Sequence, residues 1–233
     1  MESNIDFGIH MPIQLFTDPT TGQIFGFTTT HVNTVLVMIA LTIFGLIVRA
    51  KVNSFTVVPR TKFQVIIEML VDGFGAFTTS TMGENNRKFS MFYGPMFLFI
   101  LLSNLTGLVG LRPPTADIAT TFALSLTTFF MVQIYGVKAK GPAYYKGLLE
   151  PMPFLLPLNV IGELANPISL SFRLFGNILG GTIIMGLYYA MMPWFMKIGI
   201  PSVLHLYFDI FAGVLQTFIF VMLSMTFVSS AME

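Results

Sequence analysis

Residues 89–111 read FSMFYGPMFLFILLSNLTGLVGL, a run of 23 residues without a charge, bounded by Lys88 and Arg112. Coiled as a helix such a run is about 35 Å long, enough to cross the roughly 30 Å hydrocarbon layer of a bilayer. A helix also satisfies its backbone polar groups from within, which the bilayer interior demands. The pattern recurs outward in both directions. No charge lies between Asp18 and Arg49, with the apolar part at 32–48, and 20 uncharged residues (118–137) separate Asp117 from Lys138. The segments 154–192 and 202–232 are apolar as well, but would be roughly 55–60 Å and 45 Å long as helices. Both exceed the hydrocarbon thickness, which predicts a long, strongly tilted hairpin. Pro193 and Pro201 bracket its turn, and Pro167 is expected to kink its first arm.

Composition points the same way. Of 233 residues 54% are hydrophobic and only 10% charged, with a mean hydropathy of +0.77, too little charge to cover a water-soluble surface. The formal net charge of +1 removes the case for a nucleic-acid partner. Cysteine is absent, and His10, His31 and His205 are too scattered for a metal centre, so neither metal nor cofactor is expected. The chain reads as one all-α integral membrane unit over 1–233, with about five membrane-crossing helices at 32–48, 89–111, 118–137, 154–192 and 202–232. Between the first two, 62–82 places Phe63, Ile66, Ile67, Leu70, Phe74 and Phe77 at helical spacing, with Lys62, Glu68 and Asp72 elsewhere. That pattern predicts an amphipathic helix in the membrane interface.

Orientation follows from the basic residues. With the N-terminus outside, Arg49, Lys51, Arg60, Lys62, Arg87, Lys88, Lys138, Lys140 and Lys146 face the cytoplasm, and only Arg112 and Lys197 face out. That bias fixes the topology by the positive-inside rule, and five crossings leave the C-terminus inside. Residues 1–30 are then a polar extracytoplasmic segment. They are not expected to be a cleavable signal, because the first basic residue is Arg49.

Arg173 stands near the middle of its segment, where a guanidinium costs about 2.5–3.5 kcal/mol by insertion scales. It cannot escape by losing its proton. Either it pairs with a buried acid of its own chain, or it serves a function. On a helical wheel Asn159, Gly162, Asn166, Ser169, Asn177 and Gly180 fall within about 40° of Arg173, and Glu163 borders this stripe. The glycines also suit close helix packing. In the last segment His205, Asp209, Gly213 and Gln216 share a face. With the two segments antiparallel, Gln216 falls near the depth of Arg173, Thr182 near that of Asp209, and His205 nearest the outside.

The runs NPISLSFRLFGN (166–177) and LQTFIFVMLS (215–224), with NLTGL (104–108) and PTAD (114–117), resemble the proton-channel subunit a of bacterial F-type rotary ATP synthases. The resemblance covers essentially the whole chain. It implies a non-catalytic, proton-translocating stator subunit of a plasma-membrane ATP synthase, partnered by the c-subunit ring, the peripheral-stalk b subunits and the surrounding lipid. By the same resemblance Arg173 is the stator charge facing the ring carboxylates, with Asn177 and Gln216 beside it. An outer half-channel would comprise His205, Asp209, Gln216, Asn177 and Thr182, and an inner one Glu163, Asn159, Asn166 and Ser169. Positions 182 and 209 often carry a Glu and a His in the family. Here they are Thr182 and Asp209, so one ionisable group replaces two and Asp209 takes the outer relay.

Two other classes compete. A secondary transporter or channel would use Arg173 to bind a substrate carboxylate, but there is no inverted repeat and there are few helices for such a build. An intramembrane hydrolase would need a nucleophile with its base, or metal ligands, and neither His-Glu-x-x-His nor Gly-x-Ser-x-Gly occurs.

Overall fold

The computed structural model describes residues 13–17, 24–59, 61–147, 149, 152–193, 196 and 199–233. Arg60 and Lys197, used above for orientation, and His10 lie outside these. The helices are α1 (Thr29–Val52), α2 (Lys62–Met82), α3 (Ser90–Leu105), α4 (Ile118–Lys140), α5 (Ala143–Gly147), α6 (Leu156–Met191), α7 (Ile200–His205) and α8 (Ala212–Met232). Six helical stretches are long and apolar enough to cross a membrane, among them Lys62–Met82, the least apolar of the six. The chain is a multi-pass α-helical membrane protein, with one addition to the sequence reading. Two short antiparallel strands, β1 (Ile13–Thr17) and β2 (Ile24–Phe27), pair within the N-terminal segment, with an irregularity between Gln14 and Phe16. Both are runs of residues that favour extended chain, too short to register against the polar average of residues 1–30.

Side-chain capping starts α1, α2 and α4. The hydroxyl of Thr61 accepts from the Gln64 amide at 3.2 Å and the carboxylate of Asp117 from the Ala119 amide at 3.0 Å, filling orphan donors of the first turn. Gly83 and Gly141 end α2 and α4 at φ of 85° and 62°, backbone that a side chain would strain. Pro167 does not interrupt α6, which runs unbroken for 36 residues. The last segment is one continuous helical stretch, Ile200–Met232, with a π turn at Leu206–Phe211 between α7 and α8. Gly73 and Gly75 do not end α2 either. Gly75 makes room for Arg87, whose Nε lies 3.0 Å from where a Cβ would stand.

The interior joins an apolar cluster to small polar contacts. Met82, Phe89, Tyr93, Met96, Ile100, Leu170, Leu174, Phe220, Val221, Met225 and Val228 form the cluster. Around it α4 packs along both α6 and α8 through hydroxyl pairs, Thr121 with Ser171 and Thr128 with Ser224, each at 3.0 Å. Small residues bring helix backbones close where lipid gives no hydrophobic drive to associate. The outer surface carries Leu36, Ile43, Leu46, Phe130, Ile161 and Leu187, all exposed, as lipid contact requires.

Inward α2 turns Gln64, Ile67, Gly75, Thr78 and Met82, with Phe74 against Phe97 and Phe77 against Phe218. Ile66, Met69 and Val71 point away from the bundle. Gln64 donates to the Thr56 carbonyl at 2.6 Å, so the loop after α1, as well as the apolar cluster, sets the rotation of this helix.

Candidate functional site

The side chains singled out on α6 divide between its two faces. Pro167, Leu170, Ser171, Leu174, Ile178, Gly181 and Met185 are buried against the bundle. Gly162, Asn166, Ser169, Arg173 and Gly176 are exposed on the opposite side, with Asn159 and Asn177 half-buried. A Cβ built at Gly162, Gly176 or Gly180 would meet nothing within 4 Å, whereas one at Gly181 would lie 3.4 Å from Phe208. Of these glycines only Gly181 serves packing within the chain. The polar stripe therefore looks outward, the reverse of what lipid contact favours.

Arg173 makes no ion pair among the described residues; the pairs found there are Arg87 with Asp72 and His205 with Asp209. No acid among the described residues neutralises this guanidinium. One turn away, the Asn177 amide nitrogen is buried with no hydrogen-bond partner among the described residues.

Two cavities open toward opposite ends of α6. The larger, of about 940 Å³, is lined by Thr182, His205 and Asp209 together with Asn33, Asn104 and Arg112. His205 Nδ1 lies 2.6 Å from Asp209 Oδ2, with the two side chains 35% and 20% exposed. On the far side of the ring the Tyr189 hydroxyl stands 3.2 Å from His205 Nε2. Tyrosine, imidazole and carboxylate thus form one hydrogen-bonded file. The π turn places Asp209 against Gly107, where a Cβ would sit 3.7 Å from the carboxylate carbon.

A buried lattice fixes the helices around this cavity. Asn104 donates to the Gly213 carbonyl at 2.9 Å and to the Thr217 hydroxyl at 3.1 Å, and accepts from the Thr115 hydroxyl at 2.6 Å. It joins α3, α8 and the loop before α4 immediately beside the π turn.

The smaller cavity, of about 370 Å³, is lined by Glu163 and Asn166 of α6, with Gln133, Lys140, Tyr144 and Ser230 among its other walls. Gln133 Nε2 donates to Glu163 Oε2 at 2.7 Å, and the Tyr144 hydroxyl donates to Glu163 Oε1 at 3.2 Å. Burial and the neighbouring Glu163 charge push the Tyr144 phenol up to about 12, so it remains a donor at any physiological pH. Glu163 and Arg173 are ten residues apart on α6 and Thr182 nine further on, about 15 Å and 13 Å along the axis. Arg173 therefore stands between the levels of the two cavities.

Of the residues expected to act together, Thr182, His205 and Asp209 share one cavity, and Glu163 and Asn166 share the other. Gln216 and Asn177 line neither, nor do Asn159 and Ser169, which belong to the outward stripe and its border. Tyr189, Gln133 and Tyr144 were not singled out from sequence. Gln133 carried a usable signal as the only side-chain amide in α4; the two tyrosines reach their partners only through the fold.

Comparisons with known proteins identify the family. Residues 31–229 match the family described as ATP synthase A chain. ATP synthase subunit a of Nitratidesulfovibrio vulgaris is 42% identical over 195 residues, covering 81% of this chain and 79% of the relative. A subunit a described as sodium ion specific, from Propionigenium modestum, is 35% identical over 230 residues, covering 89% and 76%. The Moorella thermoacetica subunit a is 34% identical over 203 residues, covering 86% and 89%. A multi-helix membrane body, an outward arginine with no ion pair among the described residues and a family match across most of the length lead to one conclusion: the chain belongs to the ATP synthase subunit a family, as an ion-translocating, multi-pass subunit of the synthase membrane sector.

Proposed function

We propose that this subunit conducts protons through two offset half-channels that meet a ring of c subunits at Arg173. Protons enter from outside through the Tyr189, His205 and Asp209 file and leave to the cytoplasm past Asn166 and Glu163, with Asn177 and Gln216 lining the outer path near Arg173. One charge crossing a potential of 100 mV releases about 2.3 kcal/mol, less than one ATP requires, so several crossings must be summed by a rotor. A rotor carboxylate is neutral while it faces lipid, because an ionised acid there is too costly. It discharges beside a fixed cation, which Arg173 supplies, and the same permanent charge blocks a direct leak between the half-channels.

The observation that carries this reading is the exposed side chain of Arg173, without an ion pair among the described residues, on a face of small and polar residues. A neighbouring helix bearing an acid fits that face: Gly162, Gly176 and Gly180 leave room for close approach, and the guanidinium finds its counter-charge there. A substrate-binding arginine of a transporter would instead point into a cavity of its own bundle.

The proposed topology has five crossings in a bacterial plasma membrane, N-terminus outside, with α2 along the cytoplasmic interface. Asp72 lies at the midpoint of α2 with its side chain 76% exposed. A crossing helix would hold that carboxylate in hydrocarbon, whereas an interfacial one leaves it in water beside Arg87, 3.5 Å away. Lys88 and Lys138 stack on Phe89 and Tyr135, and those two rings pack together. Their shared end of the bundle is the one the basic residues assign to the cytoplasm.

The test is cross-linking. The chain has no native cysteine, so one placed at Gly176 and a second beside the ring acid should join under mild oxidation, with rotation arrested. Absence of the cross-link in an assembled complex refutes the proposed interface. Proton-driven ATP synthesis in sodium-free vesicles tests the ion, and an absolute requirement for sodium would give this chain the ion specificity of the Propionigenium modestum relative.

A further inference from the structure

The Glu163 carboxylate is held by one donor on each oxygen, Gln133 from α4 and Tyr144 from α5. We infer that Gln133 and Tyr144 are positioning residues for Glu163, and that Gly136 sets the reach of Tyr144. The inference rests on Glu163 being the inner relay of the proposed path.

The geometry is built for that task. A Cβ at Gly136 would lie 2.5, 2.8 and 2.9 Å from the Tyr144 ring atoms Cε2, Cδ2 and Cζ. The ring occupies the space any other residue at 136 would claim, and this close approach brings its hydroxyl to Glu163. Gln133 lies one turn before Gly136 on the same helix, so α4 controls both donors. A carboxylate has about four lone-pair sites, and two donors leave it acceptor capacity toward the cavity it lines.

The alternative partner for Glu163 is also present. Lys140, Tyr144 and Glu163 are the ionisable residues lining this cavity, and the α8 wall contributes Phe227, Ser230 and Ala231. A carboxylate released by its two donors would turn toward Lys140, and an ion pair there would hold it away from Asn166 and the rotor-facing stripe. The two neutral donors fix the carboxylate in place without neutralising it.

The experiment measures ATP synthesis in vesicles as a function of pH on the cytoplasmic side, at fixed outer pH, in Tyr144→Phe, Gln133→Leu, Gly136→Ala and Glu163→Gln. Tyr144→Phe keeps the ring and its packing while removing the hydroxyl. Tyr144→Phe and Gln133→Leu should each slow synthesis by about ten- to a hundredfold, since each removes a hydrogen bond to a charged group. Loss of either donor frees the carboxylate to leave its place, so the profile departs from wild type while the amount of assembled complex stays constant. Gly136→Ala should reproduce the profile of Tyr144→Phe; should it fail to assemble, the Tyr144→Phe profile decides alone. If Glu163→Gln alters the profile and both Tyr144→Phe and Gln133→Leu leave it at wild type, the positioning role is overturned. A wild-type profile for Glu163→Gln itself overturns the inner-relay reading, and the positioning role falls with it.

Discussion

Replacing Arg173 by alanine should separate function from stability. The side chain is exposed and has no ion pair among the described residues, so its removal leaves no orphaned acid inside the chain. A surface change of this kind alters folding by no more than about 0.5 kcal/mol. For a chain of this size 1 kcal/mol corresponds to roughly 2–4 °C in Tm, so the midpoint should move by no more than about 2 °C. Membrane insertion should become easier, by about 2.5–3.5 kcal/mol on insertion scales. Had Arg173 been half of a buried ion pair, the same change would cost about 3–5 kcal/mol, a drop of at least about 6 °C. Thermal unfolding of the detergent-purified chain, followed through its single tryptophan, gives the first quantity. ATP synthesis by energised vesicles gives the second, and it should be abolished while the variant chain is still found in the assembled complex. A large fall in Tm, or retained coupled synthesis, refutes the reasoning.

Other consequences follow from the two cavities and the lattice between them. Asp209→Asn keeps the shape of the file with His205 but removes its proton acceptor, so synthesis should fall about a hundredfold, the low end for a positioned proton-transfer group; rates measured against outer pH at constant assembly check this. Tyr189→Phe removes only the outermost contact of that file and should slow synthesis less than Asp209→Asn, an order the same titration would expose if reversed. Asn104→Ala orphans the Thr115 hydroxyl, which is 0% exposed, and should lower stability by about 2–3 kcal/mol, read as a reduced Tm. The Tyr144 phenol, raised from 10.0 to about 12, favours the folded state while protonated. Its contribution is complete below pH 10 and fades as pH rises toward 12, a loss that Tyr144→Phe should remove from the alkaline stability profile.

The spans were legible because exclusion of charge is a strong, local and additive signal. The segment 118–137 corresponds to α4 at Ile118–Lys140, and 154–192 to α6 at Leu156–Met191. Arg173 and its stripe were legible for the same reason, since one charge in an apolar helix has no local explanation. The wheel gave the direction of the stripe relative to the helix, and packing against α4 decided that this direction points out of the bundle. The π turn was hidden because its sequence, Leu206–Phe211, is ordinary apolar helix, and its extra residue has meaning only where Phe208 meets Gly181 and Asp209 meets Gly107. Tyr144 sits in a polar connection 19 residues from Glu163 with no periodic relation to it. The inward face of α2 was not legible, because the apolar residues of an interfacial helix face lipid as well as protein, so hydrophobicity alone does not choose between them.

That ambiguity reaches the whole molecule and explains why the site stands out. In water a polar stripe on a helix marks the solvent side and says nothing about function. Here the surrounding medium is apolar, and the protein buries its hydroxyls, with Thr121, Ser125, Ser171, Thr217 and Ser224 all at 0% exposure, while it exposes leucine, isoleucine and phenylalanine. Against that arrangement the outward Gly162, Asn166, Ser169, Arg173 and Gly176 are the inverted face. A guanidinium unable to shed its proton would raise the energy of the isolated chain in lipid. Its retention on an open face requires the missing stabilisation to come from a second molecule carrying an acid at the same depth. The two cavities then acquire a direction, because each ends near a different level of that face. On the proposed path, an ion that enters at the Asp209 level and leaves at the Glu163 level is carried between them by the partner, past a charge that stops it from crossing alone.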